Sequence, residues 1–393
     1  MAFARSRVIN LVNTNVINVG YALVGEDFTV IEKASIVIED GVIKHISKGW
    51  ISKGITIENG IALPALFNAH VHTGDYAFPE VGLELSLHEL VAEPYGLKHR
   101  LLRSTPKHKL IESIKRFIDY EMRIGVLAVA DFREGGVEGA RIALEASRNK
   151  NIHYLVLGRP STGNTSELKE LREHVYGLGL STPIKYSTSE LRVFAKVFND
   201  KLRGAHVAEV PDNASRELYM AVEELKANYI VHGVYLTRED YITLADKNIG
   251  LIICPRANSW FGVGQPKIDE ILDSGVIVAL GTDNSGWIKP DIWREMEYTW
   301  NIIRLKGRKD IKASDILKMA TINPARIFKL QGYGVLEEGY EASLIILDGL
   351  GSNIVFAHDK VAGVVKRGGG EHILGILYKG KCISGMLCSK LTS

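Results

Sequence analysis

Residues 63–75 read LPALFNAHVHTGD. An apolar run ends there in two histidines, His70 and His72, one residue apart. Side chains alternate faces along a β-strand, so positions two apart point the same way. Two imidazoles at one strand end can therefore reach a single metal ion. Three further apolar runs end in the same manner, with His206 in RGAHVAEV, His232 in NYIVHGVYLT and Asp283 in VIVALGTDNSG. Neutral imidazoles with a carboxylate suit a borderline divalent metal such as zinc. Together these residues point to a hydrolytic metal site.

These runs belong to a longer series. LPALFNAH (63–70), GVLAVADF (125–132), IHYLVLG (152–158) and VYGLGLS (175–181) are followed by LRGAHVA (202–208), YIVHGVY (229–235), IGLIICP (249–255) and VIVALGTD (276–283). Helical patterns such as STSELRVFAKVFNDKL lie between them, and several open on Ser, Thr, Asp or Asn. Eight strands alternating with helices predict an α/β fold, a (β/α)₈ TIM barrel over residues 63–330, close to the roughly 250 residues typical of it. If His72 ends the first strand and His206 the fifth, each unit spans about 33 residues, near the barrel's usual spacing. His232 and Asp283 then end strands 6 and 8. All candidate ligands fall at C-terminal strand ends, the face where such barrels do chemistry.

The flanking segments differ. Residues 1–62 alternate apolar and polar positions in RVINLVN, ALVGEDFTVIE and SIVIEDGVIKHIS, and the pattern returns after residue 331 in EASLIILDG and GVVKRGGGEHILGILYKGK. Neither end has strands enough for a stable sheet domain of its own. The expectation is one small β-sandwich built from residues 1–62 and 331–393.

Lys+Arg total 48 and Asp+Glu 46, so the near balance gives no reason to expect nucleic acid or an anionic membrane as partner. The densest basic stretch, GLKHRLLRSTPKHK (96–109), reads as a solvated helix or loop face. The cysteines are Cys254, Cys382 and Cys388, an odd number without a CxxC pair, and they read as reduced thiols of a cytoplasmic protein. Asparagines interrupt the apolar run behind the N-terminal arginines, so no signal peptide is expected there. A small-molecule substrate is the expected partner.

In ordered combination, the HxH at His70 and His72, HVAE at His206–Glu209, VHG at His232, GTDN at Gly281–Asn284, the helix ASDILKMATINPARIF and the tail GVLEEGYEASLIILD are specific. The chain resembles the amidohydrolase superfamily, in its cytosine-deaminase and chlorohydrolase-like branch, over almost its whole length. The resemblance implies a metal-dependent barrel flanked by a β-sandwich and paired as a homodimer, with members that hydrolyse C–N bonds other than peptide bonds. Ala65 and Ser343 depart from the common pattern, where glycine and aspartate are usual, and both lie outside the ligand set. No lysine stands in VYGLGLS, where two-metal members carry a bridging one, so a single ion is implied.

The expected ligands are His70, His72, His206 and Asp283, holding one divalent ion: zinc first, iron or manganese as alternatives. Glu209 is the expected proton shuttle, Asp283 also a proton acceptor. His232 either binds metal or contacts the attacking water. Asn258, Trp260 and Trp287 are substrate-binding candidates, the tryptophans as a wall for a planar ring or as core. Asp75 reads as structural, and Lys98 and His99 as residues beside the pocket. The reading is an aminohydrolase of an amino-substituted heterocycle. Alternatives are a cyclic amide or imide hydrolase, a chlorohydrolase, or a non-enzymatic member of the fold; retention of the ligand set and Glu209 argues against the last. A deaminase of the H-x-E…C-x-x-C type is excluded, because no CxxC occurs.

Overall fold

The computed structural model describes residues 15–391. The alternating run RVINLVN and most of the arginine-bearing N-terminal stretch lie outside them. The strands, in chain order, are β1 (Asn15–Val24), β2 (Thr29–Glu39), β3 (Val42–Lys48), β4 (Ile55–Pro64), β5 (Leu66–His72), β6 (Val126–Arg133), β7 (His153–Gly158), β8 (Gly177–Leu180), β9 (Leu202–Val207), β10 (Tyr229–His232), β11 (Gly250–Ile253), β12 (Val278–Leu280), β13 (Asp283–Asn284), β14 (Leu344–Asp348), β15 (Ile373–Tyr378) and β16 (Lys381–Ser384). The chain forms two compact units: residues up to 64, 332–360 and from 372 onward make one, Ala65–Gln331 and Val361–Glu371 the other. The tail stretch Val361–Glu371 thus packs within the barrel unit, where Lys366 pairs with Glu297.

The first unit is one seven-stranded sheet in the order β16-β15-β14-β4-β1-β2-β3. The two chain ends join where β4 runs antiparallel to β14, with Leu344 opposite Pro64. A hairpin forms at EDG: Asp40 and Gly41 both take positive φ, as a two-residue primed turn requires. Where the sequence predicted a sandwich, the hydrogen-bond ladder is one continuous sheet. Ile17, Ile36, Ala62, Leu344, Ile346 and Leu377, drawn from both ends, share one apolar cluster. The cysteine expectation is corrected here. Cys382 on β16 and Cys388 on the helix Leu387–Leu391 are joined by a disulfide, because the turn between them brings their Cα atoms to 5.2 Å. Cys254 is free and buried.

The second unit is a parallel sheet ordered β12-β11-β10-β9-β8-β7-β6-β5-β13. β13 continues the line of β12 after two residues and pairs in parallel with β5, Asp283 opposite Val71 and Asn284 opposite His72. The ring therefore closes. The Thr282 amide donates to the His70 carbonyl at the seam. Every residue of β5, β6 and β9 is buried, as expected of strands covered on both faces. Ser187 and Thr237 cap their helices with reciprocal Glu190 and Asp240 contacts, as the sequence pattern predicts. Among the described residues no helix is long and apolar enough to cross a membrane.

An aromatic plug supports the site from below. Phe67 stacks on Phe328, Tyr229 packs at 5.1 Å from Phe328, and Phe132 reaches both Tyr229 and the His70 ring. Tyr229 fits because its neighbour on β9 is Gly204: a Cβ there would lie 2.1 Å from a Tyr229 ring carbon. Gly204→Ala is expected to destabilise the barrel by about 1–3 kcal/mol, the usual cost of overpacking. Adding Tyr229→Leu should recover part of that loss. Urea unfolding of the two variants checks this, and an unchanged midpoint for Gly204→Ala would show that the ring is not confined.

Candidate metal centre

His70 and His72 lie at the end of β5, His206 near the end of β9, His232 at the end of β10, and Asp283 opens β13. His70, His72, His206 and Asp283 are all buried, and their ligand atoms lie within 4.8 Å of one another. The His206 Nε2 atom is 3.3 Å from Nε2 of both His70 and His72. Asp283 Oδ1 is 3.3 Å from His70 Nε2 and 3.5 Å from His72 Nε2. One of the four ligand candidates and a neighbour on the same rim sit on unusual backbone: Asp283 and His232 take left-handed φ of 61° and 76°. For residues other than glycine that conformation is costly, and it is held where the surrounding structure requires it.

The ring protons can be placed. Nδ1 of His72 faces the Phe132 carbonyl at 3.0 Å, and Nδ1 of His206 faces the Leu180 carbonyl at 2.9 Å. A carbonyl only accepts, so each Nδ1 carries the hydrogen and each Nε2 presents a lone pair. Burial lowers the His70 pKa to about 3 and holds His206 well below the usual imidazole range, so both rings stay neutral. Burial pushes the Asp283 carboxyl up, but its hydrogen bond with His70 and the neighbouring histidines outweigh this and keep it ionised. Lone pairs facing one another at 3.3 Å repel. A tetrahedral ion with ligand bonds of about 2.0–2.1 Å sets its ligands about 3.3–3.4 Å apart, which is the spacing found here. The donor set fits one divalent cation.

A second group of side chains meets the same cavity. Glu209, three residues after His206, sits 3.7 Å from Nε2 of His232 with its side chain 22% exposed. Burial raises its carboxyl pKa. Glu217 fixes the approach of this loop, accepting from the Ala208 amide at 2.7 Å and from the Thr182 hydroxyl. The Asn258 amide donates to Nδ1 of His232 at 3.2 Å, which puts that ring's proton on Nε2, toward Glu209. A cavity of about 70 Å³ is walled by His72, His206, Glu209, His232, Asp283 and Arg159 among others.

Three sequence candidates stand back from that wall. Asn258 is fully buried behind His232, in the helix Pro255–Trp260 that follows β11. Trp260 is 54% exposed, and Trp287 is buried with its indole N–H on the Val81 carbonyl. The solvated reading of residues 96–109 fails at its start. Lys98 is 2% exposed, between Asp75 Oδ2 at 2.9 Å and Glu134 Oε1 at 2.7 Å. His99 is also buried and donates to the Val91 carbonyl. Lys98 folds inward because the buried carboxylates there need a counter-charge. Asp75 also accepts from Asn284, tying the loop after β5 to β13. Sequence reasoning missed Glu134, whose Oε1 lies 2.7 Å from Nδ1 of His72. It directly follows β6 in FREGG, the same strand-end signal that marked the ligands.

Comparisons with known proteins agree with this geometry. A model of the amidohydrolase family matches residues 61–381. An uncharacterized protein of Methanocaldococcus jannaschii is 33% identical over 362 residues, covering 88% of this chain and 93% of that protein. A 5-methylthioadenosine/S-adenosylhomocysteine deaminase of Pyrococcus furiosus is 25% identical over 373 residues, covering 85% of this chain and 86% of the relative. The solved structure of an adenosine deaminase of Xanthomonas campestris with bound zinc superposes with a TM-score of 0.80 at 16% identity, over 93% of this chain and 92% of the other. That last likeness concerns the fold alone. With strand-end histidines and aspartate in order and a family match over most of its length, the chain belongs to the amidohydrolase family.

Proposed function

We propose that the protein is a mononuclear aminohydrolase that removes ammonia from an amino-substituted heterocycle. The observation that carries this reading is the convergence of Glu209 and His232 on the cavity walled by the metal cluster. The deaminase named in Pyrococcus furiosus supports it. His70, His72, His206 and Asp283 would hold the ion, zinc by preference. Such an ion supplies Lewis acidity, enough to lower the pKa of a water from about 15.7 to about 7.

The chain's own residues do the rest. Hydrolysis consumes one water and releases one ammonia, so two protons must move. Asp283 takes a proton from the attacking water. Glu209, its pKa raised by burial, holds a proton for the ring nitrogen and then passes one to the leaving amine. His232, fixed by Asn258, offers its Nε2–H to the negative charge that develops on the attacking oxygen. β8 reads GLGL and offers no bridging lysine, which weighs against a two-metal cyclic amidase.

The test is an ammonia-release screen of the metal-loaded protein against aminopurines, aminopyrimidines, pterins and triazines, with chloride release followed in parallel. Chloride release without ammonia would replace this reading with a chlorohydrolase. Elemental analysis of protein purified without added metal should give about one divalent ion per chain, as four ligands without a bridge imply. Two ions surviving dialysis would favour the cyclic amidase.

Glu209→Gln keeps the shape but cannot carry a proton. It should lower kcat by about 10² to 10⁴ with metal content unchanged. His70→Ala should lose both metal and activity, since a ligand is gone. Near-full turnover in Glu209→Gln would place the proton shuttle elsewhere.

A further inference from the structure

The 70 Å³ space at the metal cluster holds little more than a small ring, and it shares a wall with a second cavity. Arg159 lines it and also lines a larger cavity of about 640 Å³ beyond. Glu134 links the two as well: it touches the metal-side ring of His72 and lines the larger cavity. Arg103, Lys107, Arg133, Arg159 and Lys185 supply positive charge to that cavity. Its carboxylates are Glu93, Glu134 and Glu138, leaving two positive charges over. Burial lowers the pKa of His99 to about 4, so that ring adds none at neutral pH.

The arrangement of these cations is specific. Lys107 and Glu138 pair at the mouth, and Glu93 bridges Arg159 and Lys185 at 2.6 and 2.7 Å. Arg133 and Arg159 are 2% and 4% exposed, and each keeps a nitrogen without a hydrogen-bond partner: Nη1 of Arg133 and Nε of Arg159. Buried guanidinium nitrogens normally find acceptors, and an orphan there marks a place for one. The wall between them is the start of the helix Gly136–Ser147, through Gly135, Glu138 and Gly139. Gly135 has no side chain to cap it; the Gly136 amide donates to the Arg159 carbonyl, and those of Val137 and Glu138 have no intrahelical acceptor. A helix start beside guanidinium groups is the usual setting for a phosphate.

Resting on the aminohydrolase reading, we propose that this cavity is an anion subsite for a phosphate monoester. The heterocycle would react at the metal while a dianionic phosphate at its far end sits among Arg133, Arg159, Lys185 and the helix start. The surplus of two positive charges matches a dianion better than a single carboxylate.

Two measurements test it. Inorganic phosphate is titrated calorimetrically into the metal-loaded protein and into Arg103→Glu and Lys185→Gln, whose side chains lie toward solvent and spare the core. Each variant should weaken phosphate binding about tenfold, the effect of one charge-assisted contact. Equal binding by all three proteins would put the ion on the metal and overturn the subsite. Matched amino-substituted nucleosides, their 5′-monophosphates and carboxylate-ended analogues are then compared by ammonia release. The monophosphates should lead by about tenfold or more in kcat/KM, with the lead reduced in both variants. A lead for the carboxylate-ended compounds overturns the phosphate assignment. If nothing releases ammonia but phosphate binding stays sensitive to the variants, the aminohydrolase reading fails and the subsite stands. Turnover indifferent to the tail, with no variant-sensitive phosphate binding, removes the subsite and leaves the aminohydrolase intact.

Discussion

Three imidazole nitrogens and one carboxylate are held within 4.8 Å of one another, four of their separations being 3.3 to 3.5 Å, inside a barrel that excludes most water. Without a cation this arrangement is repulsive, so the fold must impose it. The carbonyls of Phe132 and Leu180 hold the ring protons on the outer nitrogens. Phe132, Phe67, Tyr229 and Phe328 fill the space beneath and prevent the rings from withdrawing. The seam between β13 and β5 holds Asp283 against His70. Each of these supports is structural, and each serves the position of four atoms.

The charge balance extends one layer outward. Glu134 brings a negative charge to 2.7 Å from Nδ1 of His72. Lys98 and Arg159 oppose it, and they hold its carboxyl well below the usual range in spite of burial. The same Lys98 answers Asp75, which anchors Asn284 beside the aspartate ligand. A buried cation of this kind is expensive to desolvate and is kept only where it is fully paired, as here.

The eight barrel strands were legible because each is a short, largely buried apolar run, and several are followed by a capped helix. The metal-cluster residues were legible because a polar side chain ending such a run has few reasons to be there. Glu134 has the same signature, but an acid next to two glycines also reads as a turn, and no spacing rule separates the cases. Lys98 was misread because local sequence cannot report that two carboxylates, from loops far apart in sequence, wait for its ammonium group. Asn258 was placed near the site but assigned to the substrate, since a pattern gives position along the chain and not the partner across it. The disulfide escaped for a similar reason: a separation of six positions between Cys382 and Cys388 does not reveal that the strand turns back on the helix.

The closing of the ring by β13 on β5 has a temporal meaning. The first pair of candidate ligands stands at residues 70 and 72 and the last at 283, more than two hundred residues later. A chain emerging from the ribosome N-terminus first holds an incomplete coordination shell until its eighth strand has been made and docked. The ion can then bind with full strength only to a barrel that is already shut. Full-strength binding at this site therefore follows closure of the ring and adds its free energy to the folded state.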